Sequence, residues 1–349
     1  MRIVDFRSDT ITKPSPEMWK AVKSLDNSKL GDDVLGEDPT VNKLEEKAAK
    51  IVGKDAALLV TSGTQGNLVS LLSQTSPGNE ILLEEQSHTF IREFESVSRI
   101  GGLMIRTYSS NKGVPSIKQL QDLIRNNKDI HEPTSKLISV ENTHNFHGGV
   151  ILKPEILKGL HDFARKNGLK FHLDGARIFN AAVGLNIPVT EFTKHVDSVM
   201  FCLSKGLSCP VGSIVAGSEE FISNARNFRK IVGGGMRQAG IIASFGLEAL
   251  KPNWIKRLEE DHKNAKLLVE GLKNFDLPMK IPDPDTNIII AEFHNKIRIM
   301  RIIRELEKEG ILAFSISKEK IRFVTHYGIQ EDDIQYSIEK IGEVIHNLI

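Results

Sequence analysis

Two apolar segments near the middle of the chain each lead to a charged residue followed by glycine. Residues 169–173 precede Asp174-Gly175, and residues 198–203 precede Ser204 and then Lys205-Gly206. Their apolar character and short length predict two strands of an open parallel sheet. Because ligands of such sheets bind outside the carboxyl ends of the strands, Asp174 and Lys205 are expected to face one crevice.

The chemistry of these two residue types suggests a cofactor. A lysine amine that has lost its proton is a nucleophile that forms a Schiff base. A carboxylate on the neighbouring strand would stabilise the protonated ring nitrogen of pyridoxal 5'-phosphate (PLP), which withdraws electrons from a substrate carbanion. Asp174 alone would more often cap a helix. The PLP hypothesis therefore depends on matching features elsewhere in the chain.

The length of the chain predicts two domains. With 349 residues, the chain is long for a single hydrophobic core. A boundary is expected near Lys251-Pro252, which follows a predicted helix. The predicted division is an N-terminal arm and a large cofactor-binding domain at residues 1–250, then a small α/β domain at residues 251–349.

The charge balance and composition exclude several classes of function. The chain has 46 basic and 45 acidic residues, and a net charge of +1 gives no electrostatic argument for binding nucleic acid or an anionic membrane. No signal peptide is recognisable, and no apolar run approaches the roughly 20 residues that span a bilayer. The only two cysteines are Cys202 and Cys209. Together these features predict a cytoplasmic protein without a disulfide framework or a zinc cluster.

A phosphate site is predicted where residues 56–61, an apolar strand, run into Ser62-Gly63-Thr64 and a leucine-rich helix. Free backbone N–H groups and the helix dipole attract an anion at such a turn, and Thr64 adds a hydroxyl. The segment is neither the Gly-x-x-x-x-Gly-Lys loop nor the Gly-x-Gly-x-x-Gly turn. A nucleotide-binding enzyme is disfavoured because the matching lysine and downstream acid are absent.

Two histidines follow predicted strands and are candidate bases. His88 comes after residues 81–84, and His144 comes after residues 136–140. A histidine beyond a strand end can stack on an aromatic ring and exchange protons near neutral pH. His144 and His147 also raise a metal interpretation, but they lack the helical His-Glu-x-x-His frame. No metal is expected.

Several basic residues are suited to binding anions. Arg177 lies in the turn after the first apolar segment, and its planar guanidinium suits bidentate binding of a phenolate or carboxylate. Arg322, on a late predicted strand, could hold a substrate carboxylate. Three glycines at residues 233–235 allow backbone to approach a ligand or another subunit closely, and the flanking Lys230 and Arg237 could reach a phosphate.

A series of short motifs occurs in a fixed order from the first residues to about position 326. They are Arg7-Ser8-Asp9-Thr10, Gly31-Asp32-Asp33, Gly36-Glu37-Asp38-Pro39-Thr40, Ser62-Gly63-Thr64, Glu141-Asn142-Thr143-His144-Asn145, Asp174-Gly175-Ala176-Arg177, Leu203-Ser204-Lys205-Gly206, Gly233-Gly234-Gly235-Met236-Arg237-Gln238 and Val324-Thr325-His326. Together they resemble the low-specificity L-threonine aldolases, PLP enzymes of the aspartate-aminotransferase-like fold. The resemblance implies an α/β fold of type I, with a mostly parallel seven-stranded sheet and a smaller C-terminal α/β domain.

The resemblance also implies a role for each matching residue. Lys205 would attach PLP covalently, Asp174 would pair with its ring nitrogen, and His88 would lie over the ring. The cofactor phosphate would be bound by Gly63 and Thr64 and, from a second subunit, by Lys230 and Arg237. The substrate carboxylate would be bound by Ser8, Arg177 and Arg322. His144 would lie beside the β-hydroxyl of the substrate. Arg177 is also expected to contact the cofactor. A homodimer with shared active sites, assembled into a tetramer, is the implied partner arrangement.

The chain departs from the family pattern at two places. Leu35 stands where the family usually has tyrosine, so a phenol is missing from the pocket. Ser208-Cys209 stands where Gly-Ala is usual, and this difference is interpreted as a packing change.

The implied activity is cleavage of L-threonine, L-allo-threonine and other 3-hydroxy amino acids to glycine and an aldehyde, a lyase reaction of threonine catabolism and glycine formation. Arg322 and Ser8 would control which bond of the substrate breaks. Either His88 or His144 would be the base. Two alternatives remain: a PLP enzyme catalysing β-elimination or transamination, and a non-catalytic binding module on the same scaffold.

Overall fold

The computed structural model describes residues 2–125, 129–294 and 298–348. Within them the strands are β1 (Val4–Asp5), β2 (Ala56–Val60), β3 (Glu80–Glu84), β4 (Met104–Tyr108), β5 (Ser110–Asn111), β6 (Val114–Pro115), β7 (Ser135–Glu141), β8 (Lys170–Asp174), β9 (Ser198–Cys202), β10 (Ser213–Gly217), β11 (Met279–Lys280), β12 (Ile288–Phe293), β13 (Ile311–Leu312), β14 (Phe314–Ser315) and β15 (Lys320–Val324). The helices are α1 (Pro16–Lys23), α2 (Pro39–Val52), α3 (Gly63–Leu72), α4 (His88–Ile91), α5 (Ser96–Arg99), α6 (Ile117–Leu123), α7 (Pro154–Lys166), α8 (Ile178–Leu185), α9 (Thr190–Thr193), α10 (Glu219–Ile231), α11 (Gly240–Ala249), α12 (Pro252–Lys256), α13 (Leu258–Lys273), α14 (Ile299–Lys308) and α15 (Glu331–His346).

Seven strands form the main sheet in the order β2-β10-β9-β8-β7-β3-β4. The pairs from β9 to β4 are parallel, whereas β10 is antiparallel to both of its neighbours. Strands β8 and β9 are adjacent, with Asp174 opposite Met200. The carboxyl ends of the two predicted strands therefore meet at one edge of the sheet, as the sequence analysis expected.

The sheet is buried on both faces by amphipathic helices. Helix α7 directs Leu157, Leu160 and Phe163 into the same core as Phe171 of β8, a spacing that places them on one helical face. Helix α2 begins at Pro39, where the side chain of Asp38 accepts hydrogen bonds from two backbone N–H groups of the first turn. Proline at the first helical position and aspartate before it are the expected start signals.

A second sheet of four strands, β11-β12-β15-β14, lies in the C-terminal part of the chain. Its hydrophobic cluster contains Phe293, Phe323 and Ile334, together with Val4 and Phe6 from the N-terminal arm. Strand β1 of this arm pairs with β13. The arm therefore packs against the C-terminal sheet. The domain boundary after residue 250 stays a prediction.

No helix in the described part of the chain combines the length and apolar character needed to cross a bilayer.

Candidate active site

Asp174 is the last residue of β8 and is buried. Its Oδ2 atom accepts a hydrogen bond of 2.8 Å from the side-chain amide of Asn67 in α3, and its Oδ1 atom accepts one of 3.1 Å from the backbone N–H of Ala176. A carboxylate that accepts hydrogen bonds on both oxygens is held in one orientation. Asp174 is therefore a fixed anion at the edge of the sheet.

Asn67 connects Asp174 to a second buried carboxylate and to a buried histidine. Its Nδ2 atom also donates to Oε1 of Glu93 at 2.9 Å, and its Oδ1 atom lies 3.2 Å from Nε2 of His172. Because both amide hydrogens of Asn67 point at carboxylates, its oxygen is the acceptor and His172 carries its proton on Nε2. The other ring nitrogen of His172 then accepts from Ser198 Oγ at 2.8 Å. Burial lowers the pKa of His172 to about 4, consistent with this neutral form.

His88 forms a dyad with Glu93. Nδ1 of His88 lies 2.8 Å from Oε1 of Glu93, and the backbone N–H of His88 donates to Glu141 at 2.7 Å. The side chain of His88 is 32% exposed, whereas that of Glu93 is 1% exposed. Burial raises the pKa of Glu93, and the nearby charge of Asp174 raises it further, while the hydrogen bond with His88 opposes both effects. Within the described part of the chain, no group hydrogen-bonds to Nε2 of His88.

Lys205 lies in the loop that follows β9. Its backbone carbonyl accepts hydrogen bonds from the hydroxyl of Thr12 at 2.9 Å and from the N–H of Ser208 at 2.8 Å, which fixes the loop. No described residue pairs with its ammonium group. Its charge contributes to lowering the pKa of the buried Asp9, so Lys205 and Asp9 are near one another.

The predicted phosphate turn begins α3. Ser62 caps this helix by accepting a hydrogen bond of 3.2 Å from the N–H of Gln65. A Cβ atom at Gly63 would lie 2.9 Å from Sγ of Cys202 on β9, so only glycine lets the turn pack this closely on the sheet. The structure therefore places Gly63 and Thr64 at a helix start beside β9.

The glycine-rich loop packs against the same turn. A Cβ atom at Gly234 would lie 2.2 Å from the side-chain nitrogen of Gln65. Lys230 is exposed, while the guanidinium of Arg237 forms an ion pair of 2.6 Å with Asp32. The role of Lys230 and Arg237 in a second subunit's site stays a prediction.

Arg322 on β15 points toward the loop after β7. Its Nη1 atom donates to the side chain of Asn145 at 2.8 Å, and its Nη2 atom donates to the carbonyl of Arg7 at 3.0 Å. Its Nε atom is buried and has no hydrogen-bond partner among the described residues. Burial, together with the nearby Arg177, lowers the pKa of Arg322 to about 10. A buried cation with an unused donor suits an anionic ligand.

Arg177 already has a carboxylate partner within the chain. Its Nε and Nη2 atoms donate to the two oxygens of Asp9, each at 2.7 Å, and both side chains are buried. Burial alone would raise the pKa of Asp9, but Arg177 reverses this effect and holds it well below its usual range. Nη1 of Arg177 makes only a long hydrogen bond of 3.5 Å, to the side chain of Asn145, among the described residues. Ser8, next to Asp9, caps a short turn by accepting from the N–H of Thr10 at 3.2 Å.

The two candidate bases lie in different environments. His144 is fully buried, and its Nε2 atom lies 3.1 Å from Oε2 of Glu84. Burial disfavours its charged form, but the carboxylates of Glu141 and Glu84 outweigh burial and raise its pKa. Of the two histidines, only His88 combines a partly exposed side chain with an Nε2 atom that has no hydrogen-bond partner among the described residues.

The two departures from the family pattern differ in exposure. Leu35 lies in the 3-10 helix Asp33–Leu35 and is 70% exposed. Cys209 belongs to the main hydrophobic core, which confirms the packing interpretation for this residue. Ser208 adopts a φ of 65°, a left-handed conformation that glycine adopts without strain.

The comparisons with known proteins decide the family. The model of the beta-eliminating lyase family matches residues 5–296. The chain belongs to this family. Low-specificity L-threonine aldolase 1 of Arabidopsis thaliana is 40% identical over 344 residues, which cover 97% of this chain and 95% of that protein. The protein is therefore an enzyme of the lyase class, and its resemblance to the low-specificity L-threonine aldolases is confirmed.

Solved structures of this fold extend the comparison. The threonine aldolase of Leishmania major superimposes with a TM-score of 0.85 at 17% identity, covering 98% of this chain and 99% of that chain. A variant structure described as "SPT with PLP" superimposes with a TM-score of 0.76 at 16% identity, covering 99% of this chain and 88% of that chain. The predicted fold class is confirmed, and the chain shares its fold with a protein that contains PLP.

Proposed function

We propose that this protein cleaves L-threonine, L-allo-threonine and other 3-hydroxy amino acids to glycine and an aldehyde, with PLP attached to Lys205. The observation that carries the proposal is the meeting of Asp174 and the Lys205 loop at the ends of adjacent strands, near the partly exposed side chain of His88. The names of the relatives support the same reaction.

The residues at this edge of the sheet fit PLP. Asp174 is a buried carboxylate held by Asn67, suited to a protonated ring nitrogen. Lys205 supplies an amine without a partner among the described residues, and the start of α3 at Gly63 and Thr64 supplies N–H groups for a phosphate. When bound, PLP supplies an electron sink for the pair released as the Cα–Cβ bond of the substrate breaks.

The chain's own residues orient the substrate and move its protons. Arg322 binds the substrate carboxylate, with Ser8 and Nη1 of Arg177 alongside. This contact would fix the orientation of the substrate, and therefore which bond of Cα breaks. Nε2 of His88 removes the proton of the β-hydroxyl, the aldehyde leaves, and a proton added to Cα gives glycine.

Glu93 and Asn67 are positioning residues that sequence reasoning did not identify. Glu93 accepts from Nδ1 of His88, which leaves Nε2 as the nitrogen that takes the proton. Asn67 holds Glu93 and Asp174 with one amide group, so the proposed base and the proposed anchor of the ring are fixed relative to each other. We assign the base role to His88 in preference to His144 because His144 is enclosed and bonded to Glu84.

We further propose a cytoplasmic homodimer with shared active sites that assembles into a tetramer. Leu35, Phe94 and Ile231 are apolar side chains that are 70%, 80% and 72% exposed in the single chain, and a partner surface would cover them. Lys230 and Arg237 would reach the phosphate site of the partner subunit. Sedimentation of the purified protein at several concentrations measures the assembly directly.

Product analysis tests the proposed reaction. Incubation of the PLP-loaded enzyme with L-threonine is expected to release glycine and acetaldehyde in equal amounts. Release of ammonia and a keto acid without acetaldehyde would instead identify β-elimination. Formation of a keto acid only when a second keto acid is supplied would identify transamination. If no amino acid is turned over, the remaining interpretation is a non-catalytic binding module.

A further inference from the structure

Three side chains beside the proposed active site form a compact cluster that the proposed reaction does not use. Glu84 ends β3, His144 follows β7, and His147 lies in the 3-10 helix Asn145–His147. Oε2 of Glu84 lies 3.1 Å from Nε2 of His144, and Oε1 of Glu84 lies 3.5 Å from Nε2 of His147. All the potential ligand atoms lie within 4.8 Å of one another.

We propose that Glu84, His144 and His147 bind a divalent transition-metal ion of the zinc class. Zinc binds imidazole nitrogen and carboxylate oxygen at about 2.0–2.2 Å, so two ligands of a tetrahedral ion are about 3.3 Å apart. The separation of 3.1 Å between Oε2 of Glu84 and Nε2 of His144 is close to this value, and one ligand atom from each of the three residues lies within 4.8 Å of the other two. A metal ion could therefore be bound without a large rearrangement of the backbone.

The ligand types select the class of metal. Two imidazoles and one carboxylate suit zinc, cobalt, nickel or copper, whereas magnesium and calcium prefer oxygen ligands. The side chains of Glu84 and His144 are only 2% and 1% exposed, and that of His147 is 16% exposed. The site is thus preorganised on its buried side and reachable from solvent at His147. The hydroxyl of Ser110 donates to Oε1 of Glu84 at 2.9 Å and so helps to hold this carboxylate beside the two histidines.

Without a metal, the same three side chains form a hydrogen-bonded group in which each Nε2 proton points at Glu84. These bonds outweigh the burial of Glu84 and hold its pKa well below its usual range. Metal binding replaces both Nε2 protons, and His144 must then carry its proton on Nδ1. This atom is buried and has no hydrogen-bond partner among the described residues. The unpaired N–H weakens the site, so we expect reversible binding that a chelator removes.

A metal bound at this cluster would affect the loop that contacts Arg322. His144 and His147 flank Asn145, whose side-chain oxygen accepts from Arg322 at 2.8 Å. A metal that joins both histidines to β3 would fix this loop, and with it the partner of Arg322.

Zinc content tests the proposal. Untagged protein is stripped with a chelator, incubated with zinc chloride, separated from free zinc by gel filtration and analysed by atomic emission. Wild type is expected to retain about one zinc per chain, as a three-ligand protein site would. His147→Asn removes a partly exposed ligand and is expected to retain almost none. His161→Asn, which changes a histidine outside the cluster, is the matched control and should retain as much as wild type.

Cobalt gives a second readout that reports ligand geometry. Addition of cobalt to the stripped wild type should produce visible d–d absorption bands that are absent in His147→Asn and in Glu84→Gln. Two results would overturn the proposal: a wild type that retains no zinc, or a His147→Asn variant that binds zinc and cobalt as wild type does. Neither readout uses threonine turnover, so failure here is distinguishable from failure of the proposed function.

Discussion

Nδ1 of His88 lies 2.8 Å from a carboxylate oxygen of Glu93, and that same oxygen accepts a hydrogen bond of 2.9 Å from Asn67. Asn67 in turn donates to Asp174. A single buried amide therefore links the histidine proposed as the base to the carboxylate proposed to pair with the cofactor ring. Movement of either one would disturb the other.

Replacement of Glu93 by Ala should lower kcat for threonine cleavage by about 10- to 100-fold, less than the roughly 10²- to 10⁴-fold contribution of a general base, because His88 itself is retained. The loss arises because the ring of His88 is no longer held in one tautomer and orientation. Steady-state kinetics and the PLP content of the variant measure the effect, and PLP content should fall much less than kcat. Glu85→Gln, at an exposed neighbour, is the control. An unchanged kcat in Glu93→Ala would remove Glu93 from the mechanism.

Replacement of Arg322 by Met should weaken binding of the amino acid and leave binding of the aldehyde unchanged. In the reverse reaction, the KM for glycine is expected to rise by about 10- to 100-fold, because a hydrogen bond to a charged group is lost. The KM for acetaldehyde should stay the same. Arg304→Met, at an exposed site on α14, controls for the loss of positive charge. Equal effects on both KM values would contradict a carboxylate contact.

Replacement of Ser208 by Gly should stabilise the enzyme by about 1 kcal/mol, because serine has a steric cost at a φ of 65° that glycine avoids. Urea unfolding monitored by circular dichroism gives the change in free energy. Ser208→Ala retains the Cβ atom and loses only the hydroxyl, whose hydrogen bond to Gly206 is long at 3.4 Å. A gain in Ser208→Ala as large as that in Ser208→Gly would show that backbone conformation is not the cause.

Acid should destabilise the protein partly through His262. Burial, aided by nearby Lys266 and Arg257, lowers the pKa of His262 from 6.5 to about 4 in the folded protein. The unfolded state therefore binds a proton that the folded state does not, and stability is lost as pH falls from 6.5 toward 4.

Replacement of His262 by Gln should reduce the slope of unfolding free energy against pH in this window. One proton corresponds to about 1.4 kcal/mol per pH unit, which is the largest reduction expected. Urea titrations at a series of pH values measure the slope. His131→Gln, at a side chain that is 85% exposed, should leave the slope unchanged. Identical slopes in His262→Gln and wild type would refute the assignment.

Local patterns in the sequence were sufficient for the strands that end at Asp174 and before Lys205. Both strands are short, apolar and followed by glycine, and such signals do not depend on distant residues. The antiparallel strand β10 was not predicted. Its residues, Ser213–Gly217, are few and small, so they differ little from the loops on either side.

The contacts between side chains in the site could not be predicted, because they join distant parts of the chain. Asn67 and Asp174 are separated by 107 residues, and Asp9 and Arg177 by 168 residues. Arg177 shows the consequence clearly. Its guanidinium suggested a ligand for a phenolate or carboxylate, but the fold supplies that carboxylate internally through Asp9.

The most direct test of the account is to reduce the PLP-loaded enzyme with borohydride and map the modified peptide by mass spectrometry. The account predicts that the added pyridoxyl group lies on Lys205, and that Lys205→Ala shows neither the modification nor cleavage of threonine. A pyridoxyl group on any other lysine of an active enzyme would contradict it.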